Sequence, residues 1–440
     1  MANPQSKMPN MSDLKGMWEA SGLREKILFT IGMIALYRFG AQVPVWGVDA
    51  SKVQAIGNQL LGFLDMFSGG ALTAVSVMAL GIGPYITASI VMQLLTVVIP
   101  KLEELQKEGG EAGRKQISQY TRYMTVGLAL LQSVLVLKFV GAVGAIEPGL
   151  NPYLFYPVAS ITLMTGALFA LWLAEIITER GIGNGGSLLI FVSIIAGVPV
   201  YISRTAELVS GSPERSFNLL ILLVIFVIVM GLIIILQEAT RKILIVSAKK
   251  QVGNKIYGGQ NTHIPFKINP ASVMPVIFAF AVLSFPAMLI QMALQNPNLA
   301  SNDIIRFLGT HLVWGAPLHM VIEFVMIVFF TFFYASIIPS MQPREIADNL
   351  KKYGSSIPGV KPGRPTAELL EQILTRITFI GAFGLAFLTV GFQLATSLTG
   401  INTLQGLGVT SLIIMVGVAL DTVNQIRVHL LARQYEGFLK

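Results

Sequence analysis

Residues that could do chemistry are few and scattered in this sequence. The 440 residues include no cysteine, which excludes disulfides, thiolate metal sites and a thiol nucleophile. The spacings typical of a zinc protease, a phosphate-binding loop or a serine hydrolase do not occur, and the four histidines form no clustered pair. The sequence therefore predicts a protein that is not an enzyme and that uses neither a cofactor nor a metal.

Ionisable residues close to apolar runs are the remaining candidates, because a charge at membrane depth is a functional hypothesis by default. Arg38 lies about two helical turns from the outer end of an apolar run. We expect its side chain to extend to the interface or to pair with a backbone carbonyl. Glu175, Glu179, Glu323 and Asp421 lie near the ends of apolar runs. Solvation at the membrane interface and a functional role explain these four equally well.

The elements that must position these residues are membrane spans. Hydrophobic residues make up 53% of the chain, charged residues 12%, and the mean hydropathy is +0.68. Because one crossing takes about 20 apolar residues, we predict an all-α polytopic membrane protein, and not a β-barrel, since no strand-like alternation is present. The ten predicted spans cover 26–45, 74–99, 118–140, 153–177, 187–203, 217–237, 272–294, 318–338, 373–395 and 406–424.

Lys and Arg are distributed unevenly among the segments that join these spans. The N-terminus, the even-numbered loops and the C-terminus hold 25 of the 31, whereas the odd-numbered loops hold four. Basic segments stay on the cytoplasmic side, so both termini are predicted to be cytoplasmic. Ten spans fit this prediction, since an odd number would put the termini on opposite sides. The long loops 238–271 and 339–372 are both basic, and they exceed the length that topology alone needs. We predict that they are docking surfaces.

The stretch DMFSGGALTAVSVMALGIGPY, at 65–85, is apolar but interrupted. Its four glycines and its proline weaken helix continuity, by about 1 kcal/mol for an interior glycine and about 3 kcal/mol for proline. Interrupted apolar segments indicate functional sites in membrane bundles. Irregular backbone at membrane depth must be covered by protein or line a water-filled cavity. We therefore predict that residues 60–73 form a half-helix folded back into a pore or vestibule.

Several passages of the sequence resemble signatures of one family. They are MFSGGAL at 66–72, ALGIGPYITASIVMQLLTVV at 79–98, EGGEAGRKQISQYTRY at 108–123, ITERGIGNGGSLLIF at 177–191, YGGQNTHIPFKINPA at 257–271, IADNLKKYGSSIPGVKPGRPTAELL at 346–370, and GVALDTVNQI with YEGFLK near the C-terminus. Their order and spacing run nearly end to end. The chain is similar to the SecY family, the pore-forming subunits of the bacterial protein-conducting channel.

The resemblance implies a fold and a gate. Two five-helix halves, residues 1–203 and 204–440, would be related by a pseudo-two-fold axis in the membrane plane and would enclose an hourglass pore. Helices 2 and 3 would face helices 7 and 8 to form a lateral gate to lipid. Residues 60–73 would be the plug that blocks the outer funnel at rest. The plug residues are Leu60, Leu61, Phe63, Leu64, Met66, Phe67, Ser68, Gly69 and Gly70.

The resemblance also implies a constriction ring. Its members would be Ile82, Ile86, Gly186, Ile190, Ile277 and Ile414. Taken alone, these isoleucines are typical packing residues. As a ring they would surround a passing polypeptide, resist ions by dewetting when empty, and offer no fixed hydrogen-bond pattern. Gly186, in GNGGS, departs from the family, which usually has a bulky aliphatic residue there.

Partners are implied by the same resemblance. The two basic loops would bind the ribosome and the motor ATPase SecA through Arg241, Lys242, Lys249, Lys250, Lys351, Lys352 and Lys361. Lys361 stands where the family typically has arginine, so a bidentate contact would be replaced by a point charge. SecE and SecG would complete a heterotrimer in the bacterial plasma membrane. Signal peptides, nascent or unfolded polypeptides, membrane lipids, SecDF and YidC are the further expected partners.

Two other functions are compatible with a helical membrane chain. A secondary transporter also uses inverted repeats and broken helices, but it would place more carboxylates at mid-membrane and would not explain two basic loops of this length. An intramembrane protease would need a catalytic pair, and the sequence has no recognisable one. The leading prediction is therefore a protein-conducting channel energised by its partners.

Overall fold

The computed structural model confirms the helical membrane architecture. It describes residues 22–53, 68–107, 109–209, 213–247, 250–252, 255–257, 261–270, 272–295, 301–312, 316–337, 342–401 and 408–437. Each of the ten predicted spans corresponds to a helix in these ranges. Seven of the described helices are long and apolar enough to cross a membrane, and one bent helix pair adds an eighth candidate. The chain is therefore a multi-pass membrane protein.

The backbone separates into two compact units, which are residues 1–201 with 418–440, and residues 202–417. The boundaries fall inside two helices, α6 and α13. The helices that begin in the first unit are α1 (Leu23–Gly40), α2 (Gly83–Val98), α3 (Pro100–Lys107), α4 (Gly110–Ala142), α5 (Pro152–Arg180) and α6 (Gly185–Val209).

The second unit contains helices and two small sheets. Its helices are α7 (Pro213–Glu238), α8 (Met274–Gln295), α9 (Asp303–His311), α10 (Pro317–Ile337), α11 (Pro343–Lys352) and α12 (Arg364–Thr399), followed by the first part of α13 (Val409–Gly437). Its strands are β1 (Thr240–Ser247), β2 (Lys250–Val252), β3 (Lys255–Tyr257), β4 (Asn261–Lys267) and β5 (Ser355–Ser356).

Helix α2 begins nine residues later than the predicted start of the second span. The prediction of helix from residue 74 was wrong, because most of 69–82 forms turns. Gly81 has φ +51°, a conformation that favours glycine, and Pro84 occupies the first turn of α2. The backbone N–H of Val77 donates to the carbonyl of Val43 at 2.8 Å. Contacts of this kind satisfy polar backbone groups that no helix satisfies.

Helix α3 turns sharply away from α2. The two helices are bent by 105° at a break between Val98 and Pro100. Proline has no backbone N–H and restricts the residue before it, so a helix ends readily at this point. Helix α3 carries Lys101, Glu103 and Glu104. This composition suits a polar surface, whereas the sixteen residues of α2 include no charged side chain.

The two long basic loops join in one small folded module in the second unit. Strands β1 and β4 pair along their length in an antiparallel register, and β5 from the later loop pairs with the end of β1, with Val246 opposite Ser356. The buried core of this module consists of Ile243, Phe266, Ile357, Leu370 and Ile377. The later loop and the start of α12 therefore pack on the earlier loop.

A buried polar pair links α10 and α12 in the second unit. Gln393 Nε2 donates a hydrogen bond to Glu323 Oε2 at 2.7 Å, and both residues are about 5% exposed. His319 Nδ1 lies 3.8 Å from the same carboxylate oxygen. Glu323 is thus held by a partner on a neighbouring helix, so solvation at the interface does not explain it. The bond ties the two helices where both are otherwise apolar.

Replacing Glu323 tests how much this pair contributes. Glu323→Leu leaves the buried Gln393 amide without its acceptor, so we expect the free energy of unfolding to fall by about 1–2 kcal/mol. Glu323→Gln retains an acceptor for the Gln393 amide, so its free energy of unfolding should fall by less than that of Glu323→Leu. The double variant Glu323→Leu with Gln393→Leu should recover most of the loss. Denaturant titration in detergent micelles measures the free energy of unfolding of each variant. A single leucine variant as stable as the parent would contradict the assignment.

Candidate functional site

The connection between α5 and α6, residues 181–184, is held by side chains from three helices. Thr30 Oγ1 of α1 accepts from the Ile182 N–H at 3.1 Å, and Gln425 Oε1 of α13 accepts from the Gly183 N–H at 2.9 Å. Thr178 Oγ1 of α5 accepts from the Gly185 N–H at 2.8 Å. Three backbone donors outside regular helix bonding are thereby satisfied. The start of α6 is fixed as a result.

Two of the predicted ring residues of the first unit lie together. Asn184 Oδ1 accepts from the Ser187 N–H at 3.1 Å, as an N-cap does, and so sets the first turn of α6. A Cβ atom added to Gly186 would lie 3.3 Å from Ile82 Cδ1. Ile82, at the start of α2, is 4% exposed, and Ile190 is equally buried one turn after Gly186. Ile86, one turn along α2, is half-buried.

Two further ring residues belong to helices that Gln237 connects in the second unit. Gln237, near the end of α7, donates from Nε2 to the carbonyl of Ile413 in α13 at 3.4 Å. Its Oε1 accepts from Ser272 Oγ, just before α8, at 3.4 Å. Ile414 and Ile277 follow these contacts by one and five residues, and both are buried. Gln237 thereby helps to fix the helix segments that carry them.

A glycine of α13 packs closely against the residue just before α8. A Cβ atom added to Gly417 of α13 would overlap the side chain of Val273 and would lie 3.1 Å from Gln237 Oε1. Only glycine allows α13 to approach the start of α8 this closely. Asn269 Nδ2 donates to the Ser272 carbonyl at 2.7 Å and shapes the turn before α8.

Only the end of the predicted plug falls within the described residues. Leu60, Leu61, Phe63, Leu64, Met66 and Phe67 lie outside them. Ser68 Oγ accepts from the Leu72 N–H at 3.0 Å, and Gly69 and Gly70 have φ of +65° and +92°. Arg38 Nη1 donates to the Gly69 carbonyl at 3.1 Å. The prediction that Arg38 pairs with a carbonyl is confirmed.

The predicted docking cations are distributed over the folded module. Arg241 and Lys242 are exposed on β1, Lys351 and Lys352 are exposed in the last turn of α11, and Lys361 is exposed before α12. The Lys361 carbonyl accepts from Thr366 Oγ1 at 2.9 Å, which fixes the backbone there. Lys249 lies outside the described residues, and of Lys250 only the backbone in β2 is described. The structure thus brings cations of both loops onto one module.

The acidic residues near helix ends differ in their surroundings. Glu175 of α5 forms an ion pair with Arg122 of α4, with Oε1 and Nε 2.8 Å apart. Glu179 and Asp421 are exposed, as residues solvated at an interface are. Within the described ranges, no group of three or more His, Asp or Glu side chains could hold a metal ion.

Sequence reasoning missed the side chains that support the ring segments. Thr30, Thr178, Gln237 and Gln425 lie in or beside apolar helices, and their importance comes from backbone groups distant in the sequence. Gln237 is separated from Ile413 by 176 residues and Gln425 from Gly183 by 242. The available signal was weak: a glutamine at the end of an otherwise apolar helix is a candidate for satisfying a buried backbone group.

Comparison with known proteins identifies relatives along nearly the whole chain. The family model described as SecY matches residues 76–423. The protein translocase subunit SecY of Synechocystis sp. is 44% identical, over 96% of this chain and 96% of its own length. The protein of the same description from Streptomyces coelicolor is also 44% identical, over 95% of this chain and 97% of its own length.

Solved structures agree on the fold. One described as the structure of a protein conducting channel has a TM-score of 0.66 at 20% identity, with 92% of each chain covered. A second, described as showing that the plug domain of SecY stabilises the closed state and maintains a membrane seal, has a TM-score of 0.64 at 19% identity, again with 92% of each chain covered. The family model matches residues 76–423, and the two translocase subunits are each 44% identical over nearly the whole chain; the chain therefore belongs to the SecY family.

Proposed function

We propose that this chain is the channel-forming subunit of a protein translocase, through which unfolded polypeptides cross the membrane. The observation that carries the proposal is identity of 42–44% to relatives described as protein translocase subunit SecY, over 95–100% of the chain. The chain is a channel and not an enzyme, and partners supply the energy. The alternative of a secondary transporter has no support among these relatives.

The constriction is proposed to be the ring of Ile82, Ile86, Gly186, Ile190, Ile277 and Ile414. Its chemistry suits a polypeptide channel, because aliphatic side chains give no fixed hydrogen-bond pattern that would favour particular substrates. An apolar constriction also resists ions by dewetting when empty. The contacts of Gln237 and of the 181–184 connection support this proposal, since they fix three of the four ring-bearing segments, α6, α8 and α13, within their own units.

The plug and the lateral gate complete the proposed mechanism. Residues 60–73 would block the pore at rest and move aside when a polypeptide enters. The helices corresponding to spans 2, 3, 7 and 8 would part to release apolar segments into lipid, each segment partitioning by its own hydrophobicity. The two halves that open would be residues 1–203 and 204–440. The glycine turn at 69–70, with its positive φ angles, supports a hinge at the end of the plug.

The proposed partners follow from family membership and from the charge of the module. SecE and SecG would form the heterotrimer, and SecA and the ribosome would dock on the cations of the two loops. Signal peptides, nascent chains and lipids would meet the gate, with SecDF and YidC as accessory partners. The proposed location is the bacterial plasma membrane with both termini cytoplasmic. A chain of similar fold belongs to a solved structure described as Sec61 in the canine ribosome-channel complex from the endoplasmic reticulum.

Charge reversal in the module tests the docking proposal. We expect the double variant Lys351→Glu with Lys361→Glu to weaken ribosome binding about tenfold and to lower the slope of log affinity against log salt by about one per lost phosphate contact. Co-sedimentation of the purified complex with ribosomes over a salt series measures both quantities.

A matched variant controls for the general effect of charge. Lys115→Glu changes an exposed lysine of α4 that is outside the module and lies 3.7 Å from Glu111. This variant should bind ribosomes nearly as the parent does. Equal loss in both variants, or no loss in the double variant with normal membrane insertion, would contradict the docking assignment.

Deleting the plug tests the sealing proposal. Removal of residues 62–71 should leave an inserted channel that conducts ions at rest, because a half-helix contributes little to the packing of the bundle. Adding Gly186→Ile should reduce this conductance, since the Cβ of the new side chain would lie 3.3 Å from Ile82 Cδ1 and its further atoms would fill the space beside Ile82. Planar-bilayer recordings of the reconstituted complex measure both. A deletion that stays as tight as the parent, with the protein folded, would contradict the plug assignment.

A further inference from the structure

Arg38 donates to a backbone carbonyl that is distant in the sequence. The residue lies two positions before the end of α1, and its Nη1 lies 3.1 Å from the carbonyl oxygen of Gly69. Among the described residues, Arg38 forms no ion pair with a carboxylate within 4.0 Å. A guanidinium inside the membrane is energetically costly unless it is paired. Within the part of the chain that the structure describes, its one hydrogen-bond acceptor is the carbonyl of Gly69, in the turn that ends the proposed plug.

The turn at Gly69 is seated between α1 and α6. Gly69 has φ +65°, and a Cβ atom there would lie 2.7 Å from the carbonyl oxygen and 2.9 Å from the Cα of Ser193 in α6. It would also lie 2.6 Å from Arg38 Nη1. The seat therefore admits only glycine in this conformation. The turn contacts one helix through its backbone and the other through the guanidinium.

The seat itself is braced by the residue next to Arg38. Tyr37 is 1% exposed, and its hydroxyl oxygen lies 3.3 Å from Oγ of Ser193, which is fully buried. The same hydroxyl would lie 3.2 Å from a Cβ atom on Gly81, at the other end of the turns before α2. Tyr37 of α1 thus packs against α6 and against the turns before α2, while Arg38 makes the polar contact to the turn at Gly69.

We propose that Arg38 is a positioning residue that latches the 68–70 turn onto α1 and α6 and so restrains the plug in its resting position. The inference rests on the proposed function, because it assigns a restraint to the same plug. A hydrogen bond from a charged donor to a single carbonyl suits a latch, since it is broken by one movement of the turn. Loss of such a bond corresponds to about a tenfold change in an opening equilibrium.

Chemical labelling measures the opening without relying on transport. The chain has no cysteine, so Leu64→Cys supplies a single reactive site in the plug segment of the reconstituted complex. Arg38→Met removes the donors and keeps an apolar stem. We expect it to raise the labelling rate by a membrane-impermeant maleimide about tenfold at rest. Gly69→Ala should also raise the rate, because the seat excludes a Cβ, and it serves if Arg38→Met does not fold.

Controls separate the latch from charge loss in general. Arg306→Met removes an exposed cation in the second unit and should leave the labelling rate unchanged. Arg38→Lys keeps the charge but loses the planar fork, so its rate should fall between those of parent and Arg38→Met. A folded Arg38→Met variant that labels at the parental rate would overturn the latch. A rise of equal size in Arg306→Met would overturn it too.

The plug deletion makes failure of the latch distinguishable from failure of the proposed function. If deletion of 62–71 produces no resting conductance, the plug assignment fails. If the deletion conducts ions but Arg38→Met shows neither faster labelling nor resting conductance, only the latch fails. In the deletion background, Arg38→Met should add no further conductance, because its acceptor is gone. An added conductance there would mean that Arg38 seals by another route, and would overturn the latch.

Discussion

Backbone hydrogen bonding inside an apolar environment is the constraint on which the rest of this structure depends. Where the chain leaves helix geometry, each N–H needs an acceptor that lipid does not supply. The 181–184 connection obtains acceptors from Thr30, Thr178 and Gln425. In the turns before α2, the Val77 N–H donates to the carbonyl of Val43, and the Val75 carbonyl accepts from the Val45 N–H. Irregular segments that a channel needs are thus stabilised by a few polar side chains on apolar helices.

The same constraint gives the buried amides a role beyond stability. Gln237 bonds to α13 and to the turn before α8, so a single side chain relates two helices that carry proposed ring residues. Gly69 then allows a close approach to the backbone of α6, and Gly417 leaves room for the side chain of Val273 beside α13. The rigid parts of each unit are therefore built from polar contacts and close packing, whereas the proposed moving part ends in a glycine turn held through a guanidinium.

The sequence predicted the ten helices well because apolar length is a strong signal that depends on composition alone. It predicted the start of the second span poorly, since residues 74–82 are apolar yet adopt turns that glycine and tertiary hydrogen bonds impose. Pairing of β5 with β1 was not predictable, because two residues of a long loop carry almost no strand signal. The ring came from resemblance alone, whereas the interrupted segment at 60–73 was visible in the sequence and the resemblance identified it as a plug. A carbonyl partner for Arg38 was expected, but its identity as Gly69 and the contacts of Gln237 came only from the structure.

In the proposed function, a translocating polypeptide passes along the aliphatic ring. A photoreactive amino acid at Ile86 or Ile277 tests it in the reconstituted complex with a translocating chain stalled partway. Val227 of α7, which is 68% exposed on an apolar helix, serves as the matched position. We expect strong crosslinks from both ring positions and little from Val227. Equal crosslinking at all three, or none at the ring while protease protection shows a stalled chain, would contradict it.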